Sequence, residues 1–358
     1  MWRLEAGKRA RITLLRKRSK LFSLIRHELS ALGFLEYDPP LLVRSPGLEP
    51  HLSPFRLAAS EGEKRRYLHT SPEYALKRLL GFDKELDRVF ALTPCFRDEP
   101  PSKTHSPEFT MLEWYRRGEG LEALMSDCER LLRASALALN DTFRLDRSYD
   151  LPEGLVCASL ALDEPFERLT VDEAFSRYAE INLRAATTPR ALLDQGRSQG
   201  LPLTIRDEEL EEKNPRRLEA LWDVIFHQIF LSAVEPQLGR HRPTFLTHYP
   251  ASQAALARLD PSDPDRALRF ELFAGGLELA NAFDELADET QLRARFLQDL
   301  ADRRAEGSVT PPIDELLLQL LPEMGPCAGI ALGFDRLLMC LTGEEEIHQL
   351  RLQPWEGP

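Results

Sequence analysis

Arg97, Glu113 and Tyr115 stand close together in the run FRDEPPSKTHSPEFTMLEWYR, Phe96 to Arg116. A guanidinium presents a planar fork that grips phosphate through paired hydrogen bonds. A carboxylate and a phenol set among aromatic side chains suit a pocket that holds a cation against an apolar wall. A second group lies in RFELFAGGLELANAFDEL, Arg269 to Leu286. If Gly275-Gly276 forms a two-residue hairpin turn, Phe273 pairs with Glu278 and Glu271 with Ala280. Glu271 and Glu278 then share a face, diagonally across the hairpin. Two carboxylates so close repel each other unless a cation lies between them. Magnesium fits, because it prefers oxygen ligands and usually takes one or two carboxylates plus substrate phosphates.

These residues need elements to position them. Two apolar runs joined by Pro, Ser and Thr predict a β-hairpin with a long loop around residues 97–107. Period-two alternation then puts Phe109, Met111, Glu113 and Tyr115 on one strand face. Residues 8–32 read as an amphipathic helix, with Leu14, Leu15, Leu21, Phe22, Ile25, Leu29 and Leu32 at helical spacing and Gly33 as the stop. The order Thr70-Ser71-Pro72-Glu73 predicts a helix start: a hydroxyl cap, Pro in the first turn, and an acid at the positive dipole end. Residues 120–140 read as a helix, and 150–240 as several short helices with polar connections. Gly329 to Met339, GIALGFDRLLM, reads as a strand running into a helix.

The chain has 358 residues, 43% hydrophobic and 29% charged, enough for one large domain or two ordinary ones. No uninterrupted apolar stretch is long enough to span a bilayer, and the basic N-terminus lacks the apolar core of a signal peptide. The five cysteines are scattered without a CxxC pair. A reducing cytoplasm is therefore expected, with no disulfide framework. A net charge of −12 is a poor match to broad nucleic-acid binding. The exception is the cluster Lys8, Arg9, Arg11, Arg16, Lys17, Arg18 and Lys20, read as a solvated helix face in preference to a docking patch. Neither GxxxxGK[ST] nor a GxGxxG after a strand occurs, which argues against P-loop and dinucleotide folds.

Phe96 to Arg116 closely resembles motif 2 of class II aminoacyl-tRNA synthetases, in the wording of the lysyl branch. Gly33 to Pro40 resembles motif 1, and Gly329 to Met339 resembles motif 3. The resemblance implies an α+β catalytic fold, an antiparallel sheet flanked by helices. It implies one catalytic domain over 1–358, with motif 1 about 20–45, motif 2 about 88–117, a helical insertion about 150–235 and motif 3 about 327–343. Motif 1 implies a homodimer. Arg97 would hold the α-phosphate of ATP and Arg336 the γ-phosphate, as the catalytic pair. Asp98, Glu99, His105, Ser106, Phe109, Glu278, Leu279 and Gly333 would complete the nucleotide site, with magnesium on Glu271 and Glu278. Ser71, Pro72, Glu73, Glu113, Tyr115, Asn281 and Ala331 would contact the amino acid, and Glu285 would pair with its side-chain ammonium. Tyr249 to Ala254 also resembles a lysyl-family segment, without an assigned role.

Two features separate the chain from tRNA-charging relatives. Motif 1 begins about thirty residues in, which leaves no room for an N-terminal anticodon-binding barrel. Ala331 stands where tRNA-charging enzymes usually carry glycine, and a methyl-scale change in a tight pocket is worth about 1–3 kcal/mol. Both features resemble the truncated lysyl-synthetase paralogues that modify elongation factor P. That likeness implies activation of (R)-β-lysine or lysine as an adenylate and transfer to a lysine side chain of elongation factor P. No tRNA or membrane partner is expected. The alternatives are a compact enzyme that charges tRNA or another carrier, and a non-catalytic regulatory paralogue. Arg97, Glu271, Glu278 and Arg336 weigh against the latter, since a pure binder needs no phosphate machinery. The chain departs from the family at Ser106, where asparagine is common, and at Ala282, where Asn-Gly is usual.

Overall fold

The computed structural model describes residues 8–49, 52–58, 65–142, 144–151 and 154–351, and divides into two compact units. Residues 1–145 and 279–358 form the first, residues 146–278 the second. The first opens with helix α1, Lys8–Ala31. Leu14, Leu21, Ile25 and Leu29 form its buried stripe, while Leu15 is exposed. Gly33 ends it with φ +83°, a conformation open to glycine at no steric cost. The basic cluster is not uniformly solvated, contrary to expectation. Arg18 pairs with Asp335, donates to Thr110 Oγ1 at 2.8 Å, and stacks over the Phe334 ring at 4.9 Å. Lys17 donates to Asn140 Oδ1 at 3.0 Å. The side chains of Lys8 and Arg9 lie outside the described residues.

The short strands β1, Leu35–Glu36, β2, Leu42–Val43, and β3, Tyr67–Leu68, lead to helix α2, Glu73–Phe82. Its start corrects the sequence reading. Pro72 occupies the cap position and no side chain caps the helix. The Thr70 hydroxyl instead donates to the Pro46 carbonyl at 2.7 Å, tying down the preceding loop. Strands β4, Arg88–Phe96, and β5, Glu108–Arg117, form the expected hairpin around the loop 97–107. Helix α3, Leu121–Asn140, packs behind it. On that reverse face, Trp114 Nε1 and Arg116 both donate to Asp127 of α3, at 3.0 and 2.7 Å.

Strands β6, Arg144–Leu151, and β7, Gly154–Ala161, pair as a two-stranded ribbon. In the second unit follow β8, Glu167–Thr170, and helices α4, Val171–Ala179, α5, Pro189–Ser198, and α6, Pro215–Ile229. Thr170, Thr188 and Asn214 cap these helices through their side chains. The expected short helices are therefore present, accompanied by strands that sequence periodicity did not show. Strands β9, Thr244–Pro250, β10, Leu259–Asp260, and β11, Asp263–Ala274, complete the unit. β11 pairs antiparallel with β9 and β10, and β8 runs parallel to β9. Phe175, Phe226, Phe230 and Phe273 stand at the centre of its core.

Gly275 and Gly276, at φ +60° and +72°, make the turn into β12, Leu277–Asp284, as the sequence predicted. The first unit resumes within β12 and adds helices α7, Glu289–Ala305, and α8, Glu315–Met324, then β13, Cys327–Gly333, and α9, Phe334–Thr342. The strand-to-helix reading of Gly329 to Met339 holds. β13 pairs antiparallel with both β12 and β5, β5 with β4, and β1 runs parallel to β4. This is the expected α+β architecture, a mostly antiparallel sheet flanked by helices.

Candidate active site

Cross-strand register assembles the site in the first unit. Ala91, Glu113, Ala331 and Asn281 lie opposite one another across β4, β5, β13 and β12. Val89, Tyr115, Gly329 and Phe283 form the adjacent row. Directly paired residues point to the same face, as do residues two apart on one strand. Phe109, Met111, Glu113 and Tyr115 thus share a face as predicted, and Asn281 and Ala331 join it. Glu285 follows β12, its amide donating to the Cys327 carbonyl at 2.9 Å.

Helix α2 brings charged groups to this face. Glu73 and Lys77 are one turn apart, and both are buried. Lys77 Nζ lies 2.5 Å from Glu73 Oε1 and 2.6 Å from Glu285 Oε2, and 6.0 Å from the centre of the Tyr115 ring. The Tyr115 hydroxyl donates to Glu113 Oε1 at 2.7 Å. Glu113 Oε2 and Glu285 Oε1 are buried with no hydrogen-bond partner among the described residues. Burial, with Glu73 adding repulsion, pushes the Glu113 carboxyl well above the usual range. Burial pushes Glu285 up to about 8, against the opposing pull of Lys77. Burial works against the charge on Lys77, yet Glu285 and Glu73 outweigh it and hold the ammonium above its ordinary pKa. Three buried carboxylates thus face one resident ammonium, and the orphaned oxygens are acceptors for another cation.

Gly329 is required by this packing. A β-carbon there would come within 2.6 Å of Glu285 Oε1 and closer still to the Tyr115 ring.

The loop end of the hairpin carries the second group. Arg97 lies over the Phe109 ring, 5.0 Å from its centre, and its buried Nε has no partner among the described residues. Asp98 is tied by its amide to the Ser53 carbonyl at 2.7 Å. Helix α9 comes back to the same loop. Arg336 Nη2 lies 2.8 Å from His105 Nε2, and Nε donates to the Thr104 carbonyl at 3.4 Å. Asp335 accepts from the Thr110 amide at 2.6 Å and fixes that helix start to β5. Ser106 and Phe109 are half-buried, and Gly333 caps α9.

In the second unit, Glu271 is buried and accepts from the Tyr249 hydroxyl at 2.5 Å. Its other oxygen pairs with Arg269, whose guanidinium stacks 4.3 Å from the Tyr249 ring centre. Burial raises the Glu271 carboxyl to about 7; Arg269 opposes this, and Glu278 adds repulsion. The two acids therefore feel each other, as the sequence implied. No group of three or more His, Cys, Asp or Glu suited to a metal occurs among the described residues. A magnesium ion on this pair would have to share Glu271 with Tyr249 and Arg269 and would take its remaining ligands from water and phosphate.

The chain matches the family described as tRNA synthetases class II (D, K and N) across residues 4–356. It is 36% identical over 351 residues to an elongation factor P–(R)-β-lysine ligase of Proteus mirabilis, covering 94% of each chain. Similar likenesses join it to the proteins of that name from Salmonella paratyphi B, 35% identical over 344 residues, and Klebsiella pneumoniae, 35% over 347. They cover 94% and 95% of this chain and 94% of each relative.

The chain belongs to the class II tRNA synthetase family.

The fold and the use of ATP follow from that membership. Sequence reasoning missed three buried groups: Lys77 and Glu49 in the first unit, where the Glu49 carboxylate is buried without a hydrogen-bond partner among the described residues, and Tyr249 in the second. Lys77 carried a signal, since it stands four residues after Glu73 on a predicted helix. Tyr249 lay in a segment singled out without a role, and it proves to hold Glu271. Glu49 lay in a loop with no periodicity to mark it. Among the described residues, no helix is long and apolar enough to cross a membrane.

Proposed function

We propose that this protein activates (R)-β-lysine, or lysine, with ATP and transfers the aminoacyl group to a lysine side chain of elongation factor P. The observation that carries this reading is the buried cluster of Glu73, Glu113 and Glu285 around one resident ammonium. Such a pocket calls for an amino acid with an additional cationic end. The names of the similar ligases supply the acceptor.

In the first step the substrate carboxylate attacks the α-phosphorus of ATP, and pyrophosphate leaves. In the second, the acceptor amine attacks the acyl carbon, an amide forms and AMP leaves. Arg97 steadies the α-phosphate as charge develops, and Arg336 with His105 grips the outer phosphates. Glu285 and Glu113 hold the side-chain ammonium, and Ser71, Glu73, Asn281 and Tyr115 orient the rest. Ala331 narrows the floor on which the substrate lies. Glu271 and Glu278 would hold magnesium, which supplies charge neutralisation to a polyphosphate when bound. Most of the rate enhancement is positioning and electrostatics, and no protein nucleophile is needed. The protein works as a homodimer in the cytoplasm on this reading, in keeping with the four free, buried cysteines among the described residues.

The test is the intact mass of elongation factor P after incubation with the protein, ATP, magnesium and (R)-β-lysine. A gain of one β-lysyl group, lost in Arg97→Ala, is expected. An unchanged mass alongside active pyrophosphate exchange would move the acceptor to tRNA or another carrier. Size-exclusion chromatography with light scattering checks the dimer.

A further inference from the structure

Glu49 is a further acid at this site, on the loop that precedes β3. Its Oε2 is buried and has no hydrogen-bond partner among the described residues. The loop is shaped to hold the carboxylate there. Gly47 lies at φ +130°, and a β-carbon on it would meet Glu49 Oε2 at 2.6 Å and Thr70 Oγ1 at 3.0 Å. The acid therefore turns back toward Thr70, the residue that leads into Ser71 and Glu73. Its strongest charged neighbours are Glu73, which repels it, and Arg97, which attracts it.

The backbone of this loop is pinned from behind. Arg303 of α7 is buried and gives its guanidinium to main-chain carbonyls: Leu48 at 3.1 Å, Glu49, Leu52 at 2.5 Å and Val309 at 3.1 Å. A buried guanidinium spent on carbonyls anchors a loop whose own acid is left unsatisfied. An orphaned buried carboxylate costs stability, so its retention in so fixed a place points to a ligand.

Position says which ligand group it meets. Glu49 feels the charges of Arg97 and Glu73, and Glu73 shares Lys77 with Glu285. On the function proposed above, Glu285 would serve the far ammonium of the substrate and Arg97 the end where its carboxyl reacts, and of these two acids it is Glu49 that feels Arg97. We propose that Glu49 is a specificity-determining residue that accepts a hydrogen bond from the substrate amine nearest the reacting carboxyl group. The inference rests on the function proposed above and adds that the pocket reads both amines of a diamino acid.

Pyrophosphate exchange with the full chain tests it. Substrates are (R)-β-lysine and L-lysine, with ε-aminocaproate as competitive inhibitor, since it keeps the far ammonium and lacks the second amine. Glu49→Gln is expected to raise KM for the preferred diamino acid about tenfold or more, the scale of one charge-assisted hydrogen bond. The inhibition constant of ε-aminocaproate and the KM for ATP stay within about twofold, the scale of a group that makes no contact. Glu49→Asp, which keeps the charge, retains part of the discrimination. Comparing the two diamino acids shows whether the α- or the β-amine is the one read. Equal weakening of ε-aminocaproate and the diamino acids, or no change in either, overturns the proposal. Absence of exchange in the unmodified protein with any amino acid would instead overturn the function on which it rests.

Discussion

Lys77 Nζ lies 2.6 Å from Glu285 Oε2, so the acid expected to hold the substrate's ammonium already holds one of the protein's own. The same ammonium reaches Glu73 at 2.5 Å. Lys77 is thereby the fixed counter-charge that lets three carboxylates share a dry pocket. Removing one partner of a buried ion pair typically costs about 3–5 kcal/mol, because the charge left behind is uncompensated. Lys77→Met is expected to lower the urea midpoint by a corresponding amount. Added lysine should recover part of it, its ammonium replacing the lost one. A variant as stable as the parent would remove the counter-charge role.

Gly329 faces the Tyr115 ring and Glu285 with no room for a β-carbon. Gly329→Ala should displace both side chains, and overpacking of this kind costs about 1–3 kcal/mol. The functional effect should exceed the structural one. Amino-acid-dependent pyrophosphate exchange should fall by about 100-fold or more, since misplacement by an ångström can cost that much in a preorganised site. Exchange at the parental rate would show that the two side chains can move aside freely.

Ala331 occupies the row between Glu113 and Asn281. Its methyl stands on the floor of the proposed pocket. Ala331→Gly should shift the ratio of exchange rates from (R)-β-lysine toward L-lysine by about 10–200-fold, the range of a methylene-scale change. The measurement is kcat/KM for each amino acid. An unchanged ratio would place the methyl outside the discriminating contact.

Glu285 is raised to about 8 and Glu49 to about 7, in each case first by burial. Their ordinary value is 4.5, so between that and the raised values the folded chain keeps protons that the unfolded chain has released. This contribution to stability is fully present below the unfolded pKa and is lost as pH rises through 7 and 8. The melting temperature without ligand should therefore fall from about pH 5 to pH 8. A diamino acid should oppose the fall, and its binding should release protons, seen by calorimetry in buffers of differing ionisation enthalpy. A melting temperature that climbs over this interval would contradict the cluster's protonation.

Much of the fold and the site was legible because it rests on local rules. Alternation placed Phe109, Met111, Glu113 and Tyr115 on one face, and β5 obeys it. The paired glycines at 275 and 276 announced their turn, and Gly33 its helix end. The start of α2 was misread because Ser, Thr and Pro signal a cap only when the hydroxyl has no better partner, and Thr70 found the Pro46 carbonyl. The basic face of α1 was misread because charge alone does not show that Asp335 waits beneath Arg18. Both errors came from contacts made far along the chain.

The sequence by itself determined the residue types and their order: an arginine before a loop, acids alternating with aromatics on a strand, two acids flanking a turn, and a strand that becomes a helix. Those follow from backbone periodicity and turn chemistry, which act over a few residues. Only the tertiary structure decided which distant residues meet. The rows Ala91–Glu113–Ala331–Asn281 and Val89–Tyr115–Gly329–Phe283 depend on strand register, which is set by the packing of the whole sheet. The pairing of Lys77 with Glu285, and the inward turn of Glu49 above an Arg303 anchor, depend on how helices and a loop dock on that sheet. Such docking is the joint outcome of many weak contacts, and no short stretch of sequence encodes it.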